Sequence, residues 1–215
     1  MSSRVVLFDL DGTLAESASG VVNGFRYAIE RMGLSFPPGF DERRLVGPPL
    51  LWSFSRFWGL GDAEAERAVM LYREYYGTRG VFEAGLYPGV EQLLRELKES
   101  GVCLCIATSK YGPMAKKMLE YLNIAHYFSH LAMSGGREGH SAKHELIADC
   151  LAATGAKAGR AVMVGDTEFD ARGARETGVD FIGVLYGYGT REEMEAQGAS
   201  IFAADADELK RLLFV

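Results

Sequence analysis

Asp9 and Asp11 stand two residues apart in Asp9-Leu10-Asp11-Gly12-Thr13, directly after the apolar run Val5–Phe8. Alternation along an extended backbone puts both carboxylates on one side of the chain, and Gly12 allows a sharp turn beside them. An Asp-Gly pair is also an ordinary turn, so these residues acquire meaning only from their company. A second apolar run, residues 102–107, leads into Thr108-Ser109-Lys110, and a third, residues 161–164, leads into Gly165-Asp166 and on to Asp170. If the first and third runs are neighbouring strands, Asp9, Asp11, Asp166 and Asp170 converge, and up to four carboxylates repel one another unless a cation sits among them. Hard oxygen donors at a strand-end site favour Mg²⁺. Lys143 lies at the start of a helical pattern through Leu146 and Ile147. There its charge opposes the helix dipole, which points to a site role over a structural one, with a solvated surface lysine as the ordinary alternative. Hydroxyl donors, an ammonium, a metal and a nucleophilic carboxylate together describe phosphoryl transfer.

The elements that must position these residues are short. Residues 4–8, 102–107, 161–164 and 181–184 are nearly continuous apolar runs, the pattern of strands covered on both faces in a parallel sheet. Weaker strand signals lie at 131–133 and 200–203. Between them Val90, Leu93, Leu94 and Leu97 recur at helical spacing and stop at Gly101; Pro113 starts a helix through Met114, Met118 and Leu122; and Leu146, Ile147, Cys150 and Leu151 line another that stops at Gly155. This alternation predicts an α/β fold with a doubly wound parallel sheet. Residues 16–85 break it. They carry helical patterns (Val21, Val22, Phe25, Ile29, Met32; then Val69, Tyr72, Tyr76) without a convincing strand, and they are too long for a simple crossover. We therefore expect a core of residues 1–15 and 86–215 with an α-helical cap domain, residues 16–85, inserted beside the end of the first strand. Ligands of open parallel sheets sit at the carboxyl ends of the strands, so the insertion should cover the site.

Composition narrows the function classes. The 215 residues are 48% apolar and 24% charged, ordinary for a globular chain. The 23 basic and 29 acidic residues leave a formal charge of −6, with no basic excess for nucleic acid or an anionic membrane. Cys103, Cys105 and Cys150 are too few for a disulfide framework, which suits a cytoplasmic location, and no apolar run approaches the roughly 20 residues that span a bilayer. The expected partner is a small phosphorylated metabolite, for a monomer or homodimer.

With these residues in view, the chain resembles the haloacid-dehalogenase-like hydrolases, in particular their phosphoglycolate-phosphatase-like branch with a helical cap and a Rossmann-like core. The resemblance covers essentially the whole length. It rests on Asp9 to Thr13, on Thr108 or its neighbour Ser109, on Lys143, and on Gly165-Asp166 through Asp170. It implies that Asp9 attacks phosphorus and that Asp11 handles the leaving-group proton. It also implies that Thr108, with Ser109 beside it, and Lys143 bind the phosphoryl oxygens, and that Asp9, Asp166 and the Asp11 carbonyl hold Mg²⁺ with Asp170 in support. Glu16 stands where relatives often carry Asp, and His144 follows Lys143 where proline is common. The stretch from Arg43-Arg44 to Leu50 is similar to the cap loop of the phosphatase branch, and its arginines are candidate contacts for a substrate carboxylate or second phosphate, against the alternative of a solvated face.

The resulting expectation is a Mg²⁺-dependent phosphatase acting through a phospho-aspartate on phosphoglycolate or a nucleoside 5′-monophosphate. A sugar phosphomutase of the same family is the nearest rival, and a receiver-type signalling module comes from a different class. A dehalogenase gives Asp11 no role. His126/His130 and His140/His144 have metal-pair spacing without an evident third ligand, and no Gly-x-x-x-x-Gly-Lys loop is present.

Overall fold

The computed structural model describes residues 4–135 and 142–214. The chain runs β1 (Val5–Phe8), β2 (Ala15–Glu16), α1 (Ala18–Arg31), α2 (Leu50–Trp58), α3 (Asp62–Thr78), β3 (Gly85–Leu86), α4 (Val90–Glu99), β4 (Cys103–Tyr111), α5 (Gly112–Tyr121), β5 (His130–Ser134), α6 (Lys143–Thr154), β6 (Ala161–Gly165), α7 (Glu168–Thr177), β7 (Asp180–Val184), α8 (Arg191–Ala196), β8 (Phe202–Ala203) and α9 (Ala206–Leu213). Six strands pair in parallel in the order β5-β4-β1-β6-β7-β8, the doubly wound α/β sheet expected from the sequence. β1 lies at the centre with β6 beside it, in register from Val5↔Ala161 to Phe8↔Val164. The two acid-terminated strands are therefore neighbours.

The apolar continuity of β1 follows from this position. Val6 and Phe8 enter a core shared with Leu93, Leu97, Met118 and Leu209 of α4, α5 and α9. Val5 and Leu7 enter a second core with Leu146, Ile147 and Cys150 of α6 and Ala174 of α7. Alternate side chains thus meet helices on opposite faces, leaving no polar position in the strand. Gly155 closes α6 in the left-handed conformation, as the stop in the pattern predicts.

Three details differ from the sequence reading. β4 continues past residue 107 to Tyr111, with a register shift between Thr108 and Tyr111; its end turns polar because it emerges into the site. Two two-residue strands, β2 and β3, pair antiparallel where residues 16–85 leave and re-enter (Ala15↔Leu86, Glu16↔Gly85). Elements this short have no periodicity to read. Helix α2 lies between the two helical patterns read in residues 16–85. It contributes Phe54 and Trp58 to an aromatic core around Phe25, whose ring centroid lies 4.7 Å from Phe54, 6.0 Å from Trp58 and 5.1 Å from Tyr72.

Leu7 is fully buried at the middle of β1, so Leu7→Ala should lower unfolding stability by about 3 kcal/mol, within the range for cavity-forming Leu→Ala changes. Phe214→Ala, at a residue 46% exposed, should cost far less. Urea denaturation of the two variants checks the ordering.

Candidate active site

The end of β1 delivers Asp9 into a tight turn in which Leu14 N and Ala15 N both donate to Leu10 O, at 3.0 and 2.9 Å. Gly12 sits in that turn at φ 82°, where a side chain is strained, and a Cβ there would collide with the Asp166 carboxylate. Asp166 follows β6 and is completely buried. Its Oδ1 accepts from Thr13 Oγ1 at 3.0 Å and its Oδ2 from Tyr188 N at 2.8 Å. The first turn of α7 then supplies Asp170, whose Oδ2 accepts from Thr167 N at 3.1 Å and Thr167 Oγ1 at 2.7 Å. This capping arrangement leaves Oδ1 of Asp170 facing Lys143 Nζ at 2.7 Å.

Lys143 is the first residue of α6 and is buried. Its ammonium donates to Ala107 O at 3.0 Å and stands 3.1 Å from Asp9 Oδ1. Burial pushes its pKa down, but Asp170 and Asp9 outweigh burial and hold it above the ordinary lysine value. Lys143 is thus a buried ammonium group between two carboxylates that favour its charged form.

Asp9, Asp166 and Asp170 each offer a carboxylate oxygen within 4.8 Å of the others. Burial first, then the Asp170 and Asp9 charges, raise Asp166 to about 8, with Tyr188 and Thr13 pulling the other way. Burial likewise raises Asp9 to about 6, against the pull of Lys143 and with a further push from Asp170; Thr108 stabilises the charged form by a hydrogen bond. Asp9 Oδ1 and Asp170 Oδ1 accept no hydrogen bond of good geometry, although Lys143 stands at ion-pair distance from both. One ammonium among three buried carboxylates leaves negative charge uncompensated, and the donors are all hard oxygens. The residues fit a Mg²⁺ ion.

Asp11 departs from the expected four-carboxylate cluster. Its side chain turns to Lys110, whose Nζ lies 3.0 and 2.9 Å from its two oxygens, and Ser17 Oγ donates to Oδ1 at 2.5 Å. Lys110 also donates to Tyr76 OH at 2.6 Å. Asp11 is drawn away because a cation and a hydroxyl are at hand on its own side, whereas the buried trio already lacks positive charge. Thr108 is buried and Ser109 exposed, and both line the same cleft as Asp9 and Lys143. Arg43 and Arg44 do not line it. Their 3-10 turn, Glu42–Leu45, turns Leu45 and Val46 into the cleft and leaves the arginines exposed, with Arg44 over the Phe57 ring at 5.3 Å. Of the histidines, His130 pairs with Asp149 at 3.0 Å, and His140 lies outside the described residues. The carboxylate trio is the potential metal group among those described.

Sequence reasoning passed over Lys110, Ser17 and Tyr76. Lys110 stands two residues after Thr108 and carried a local signal; Tyr76 lies on α3, 34 residues earlier in the chain, and joins the site only through folding. Tyr188, in a Gly-rich loop after β7, also enters, accepting from Ser17 N through its hydroxyl at 2.8 Å. The cleft has a volume of about 400 Å³ and extends from these residues to α3 and the segment 45–51. A cavity of similar size at the amino ends of the strands contains Cys103 and His130 but no carboxylate among its described lining residues.

The profile of one protein family, described as haloacid dehalogenase-like hydrolase, matches residues 6–184. A protein of Mycobacterium tuberculosis named tyrosine-protein kinase PtkA is 37% identical over 216 aligned residues, covering all of this chain and 74% of that protein. A 5′-nucleotidase of Pseudomonas aeruginosa is 34% identical over 97% of this chain and 94% of its own length. The crystal structure of a predicted phosphatase from Clostridium acetobutylicum superimposes with a TM-score of 0.90, at 34% identity, over 100% of this chain and 99% of that one.

The carboxylates raised above their unfolded value bind protons in the folded state that the unfolded chain has lost. Their stabilising contribution is complete below the unfolded Asp pKa, near 3.9, and is lost as pH rises through about 6 and then about 8. In excess EDTA the melting temperature should fall between pH 6 and pH 8.5. Saturating Mg²⁺ should raise it more at pH 8.5 than at pH 6, and Asp166→Asn should remove most of that rise. A Mg²⁺ effect equal at both pH values, or unchanged in the variant, would rule out the trio as the binding site.

Proposed function

The chain belongs to the haloacid dehalogenase-like hydrolases, and we propose that it is a Mg²⁺-dependent phosphatase that hydrolyses small phosphomonoesters through a phosphorylated Asp9. One observation carries this reading: Asp9 shares a buried cluster with Asp166 and Asp170 while Lys143 stands 3.1 Å from its carboxylate. A nucleophile, a cationic partner and a divalent-metal donor set therefore coincide at the carboxyl ends of β1 and β6. The relatives named phosphatase or nucleotidase support the same reaction class.

When bound, Mg²⁺ would supply positive charge to the phosphoryl oxygens. Asp9 would attack phosphorus, and Lys143 with Thr108 would hold the oxygens on which charge accumulates. Asp11, oriented by Ser17 and Lys110, would give a proton to the departing alkoxide. It would then take one from the water that hydrolyses phospho-Asp9. Residues 1–15 and 86–215 form the catalytic core in this reading, and residues 16–85 the cap, which supplies Tyr76 and the segment 45–51 to the cleft. Phosphoglycolate and nucleoside 5′-monophosphates are the first substrates to test. Three free cysteines suit a reducing, cytoplasmic setting, and among the described residues no helix is long and apolar enough to cross a membrane.

The mycobacterial relative's name favours a second reading, transfer of a phosphoryl group from a nucleoside triphosphate to a tyrosine hydroxyl. The acceptor, water or a tyrosine hydroxyl, distinguishes the two readings. Hydrolysis in ¹⁸O-water should label the released phosphate, and ATP with a tyrosine-containing peptide should yield no phosphopeptide.

Asp9→Asn keeps the side-chain shape but removes both the nucleophile and a metal donor. Turnover should fall by at least on the order of 10³, as for loss of a catalytic nucleophile, with folding retained. Asp11→Asn should still form phospho-Asp9 in a rapid quench yet turn over slowly. Asp180→Asn, at an exposed residue away from the cleft, should match the parent protein. Full turnover in the Asp9 variant would remove the covalent mechanism.

A further inference from the structure

The floor and the walls of the cleft differ in chemistry. The floor holds the charged groups, whereas the walls are built by Val46, Pro48, Leu50, Val69, Tyr72 and Met114, from the segment after the 3-10 turn and from α2, α3 and α5. Among the described residues, four with cationic heads line the cleft, Arg73, Lys110, Lys143 and Arg172, and the His144 imidazole lies among them. Each already has a partner. Lys110 faces Asp11 and Lys143 faces Asp9 and Asp170. His144 Nδ1 lies 2.9 Å from Glu176. Arg73 sits over the Tyr111 ring at 4.9 Å and Arg172 over the Phe169 ring at 5.3 Å. A carboxylate or second phosphate on the leaving group would compete with Asp11, Asp9 and Asp170 for the two lysines and would meet the Glu176 carboxylate, which also lines the cleft. An uncharged ring would displace only water from apolar walls.

We propose that the preferred substrates are phosphomonoesters whose alcohol carries an aromatic ring, with the ring held among segment 45–51, α3 and Met114 of α5 while the phosphoryl group reaches Asp9. The inference rests on the phosphatase reading above and adds the leaving-group class. Phe169, an exposed ring, adds an aromatic side chain to the apolar lining of the cleft, a surface on which an aromatic ligand packs well. The volume of about 400 Å³ lies within the range of about 300–1,000 Å³ that encloses most of a ring-bearing ligand. A two-carbon acid would leave the upper walls against water. Arg43 and Arg44, the sequence candidates for a second anion, face outward, consistent with an uncharged leaving group.

The test compares ethyl phosphate, 2-phenylethyl phosphate and 2-phosphoglycolate at saturating Mg²⁺. The first two release alcohols of nearly equal acidity, so a difference between them reports binding of the ring and not intrinsic reactivity. We expect kcat/KM for 2-phenylethyl phosphate to exceed the other two at least tenfold, mainly through KM. Leu50→Ser on α2 and, on a separate element, Met114→Ser on α5 should each reduce the ratio of the phenyl to the ethyl ester at least threefold. Equal rates for the phenyl and ethyl esters, or a preference for phosphoglycolate, would overturn the inference while leaving the phosphatase intact. A phenyl preference unchanged in both variants would overturn the placement of the ring. Hydrolysis of none of the three esters would overturn the phosphatase reading and this inference with it.

Discussion

Repulsion among three carboxylates brought within 4.8 Å in a buried site is the constraint around which the rest of the molecule is arranged. Uncompensated charge in such surroundings is costly, and the fold answers it with what it can place nearby. Lys143 comes from α6, Thr13 and the Tyr188 amide donate to Asp166, and Thr167 donates twice to Asp170. Each contribution arrives from a different element, so the site assembles only when β1, β6, α6 and α7 are in register. The compensation is still incomplete by charge, and a divalent cation is what would complete it.

Much of this was legible in the sequence because the information was local. Val5–Phe8 and residues 161–164 announced buried strands by being apolar at every position, and the acids at their ends became neighbours once β1 and β6 paired. Lys143 was legible because a lysine at a helix start runs against the dipole. What failed was direction. Asp11 shares a motif with Asp9, yet its side chain pairs with Lys110, a contact spanning 99 residues. Arg43 and Arg44 sit in the right loop but on the outer side of a 3-10 turn, whose three-residue period sends Leu45 inward. Residue types and spacing identify an end of an element; which way a side chain points there depends on partners that come from elsewhere in the chain.

The contact of Lys110 with both Asp11 and Tyr76 joins the two parts of the chain at the cleft. Tyr76 is buried, stacks with Tyr72 at 5.3 Å, and so joins the aromatic core that α1, α2 and α3 form around Phe25. A shift of α3 would therefore reach the Asp11 carboxylate through a single ammonium group. In this arrangement the segment that walls the cleft also orients a residue at its floor, so filling the cleft and ordering the site are physically linked.

The paired two-residue strands β2 and β3 bring Ala15 opposite Leu86 and Glu16 opposite Gly85, so the intervening helices depart and return at nearly one point. A chain closed in this way pays only a slowly growing entropy cost for a longer excursion, and the sheet needs no rewiring when the excursion changes. Residues can therefore be added to or removed from the stretch between these anchors at small entropic cost, while the β1–β6 pairing beneath keeps its register.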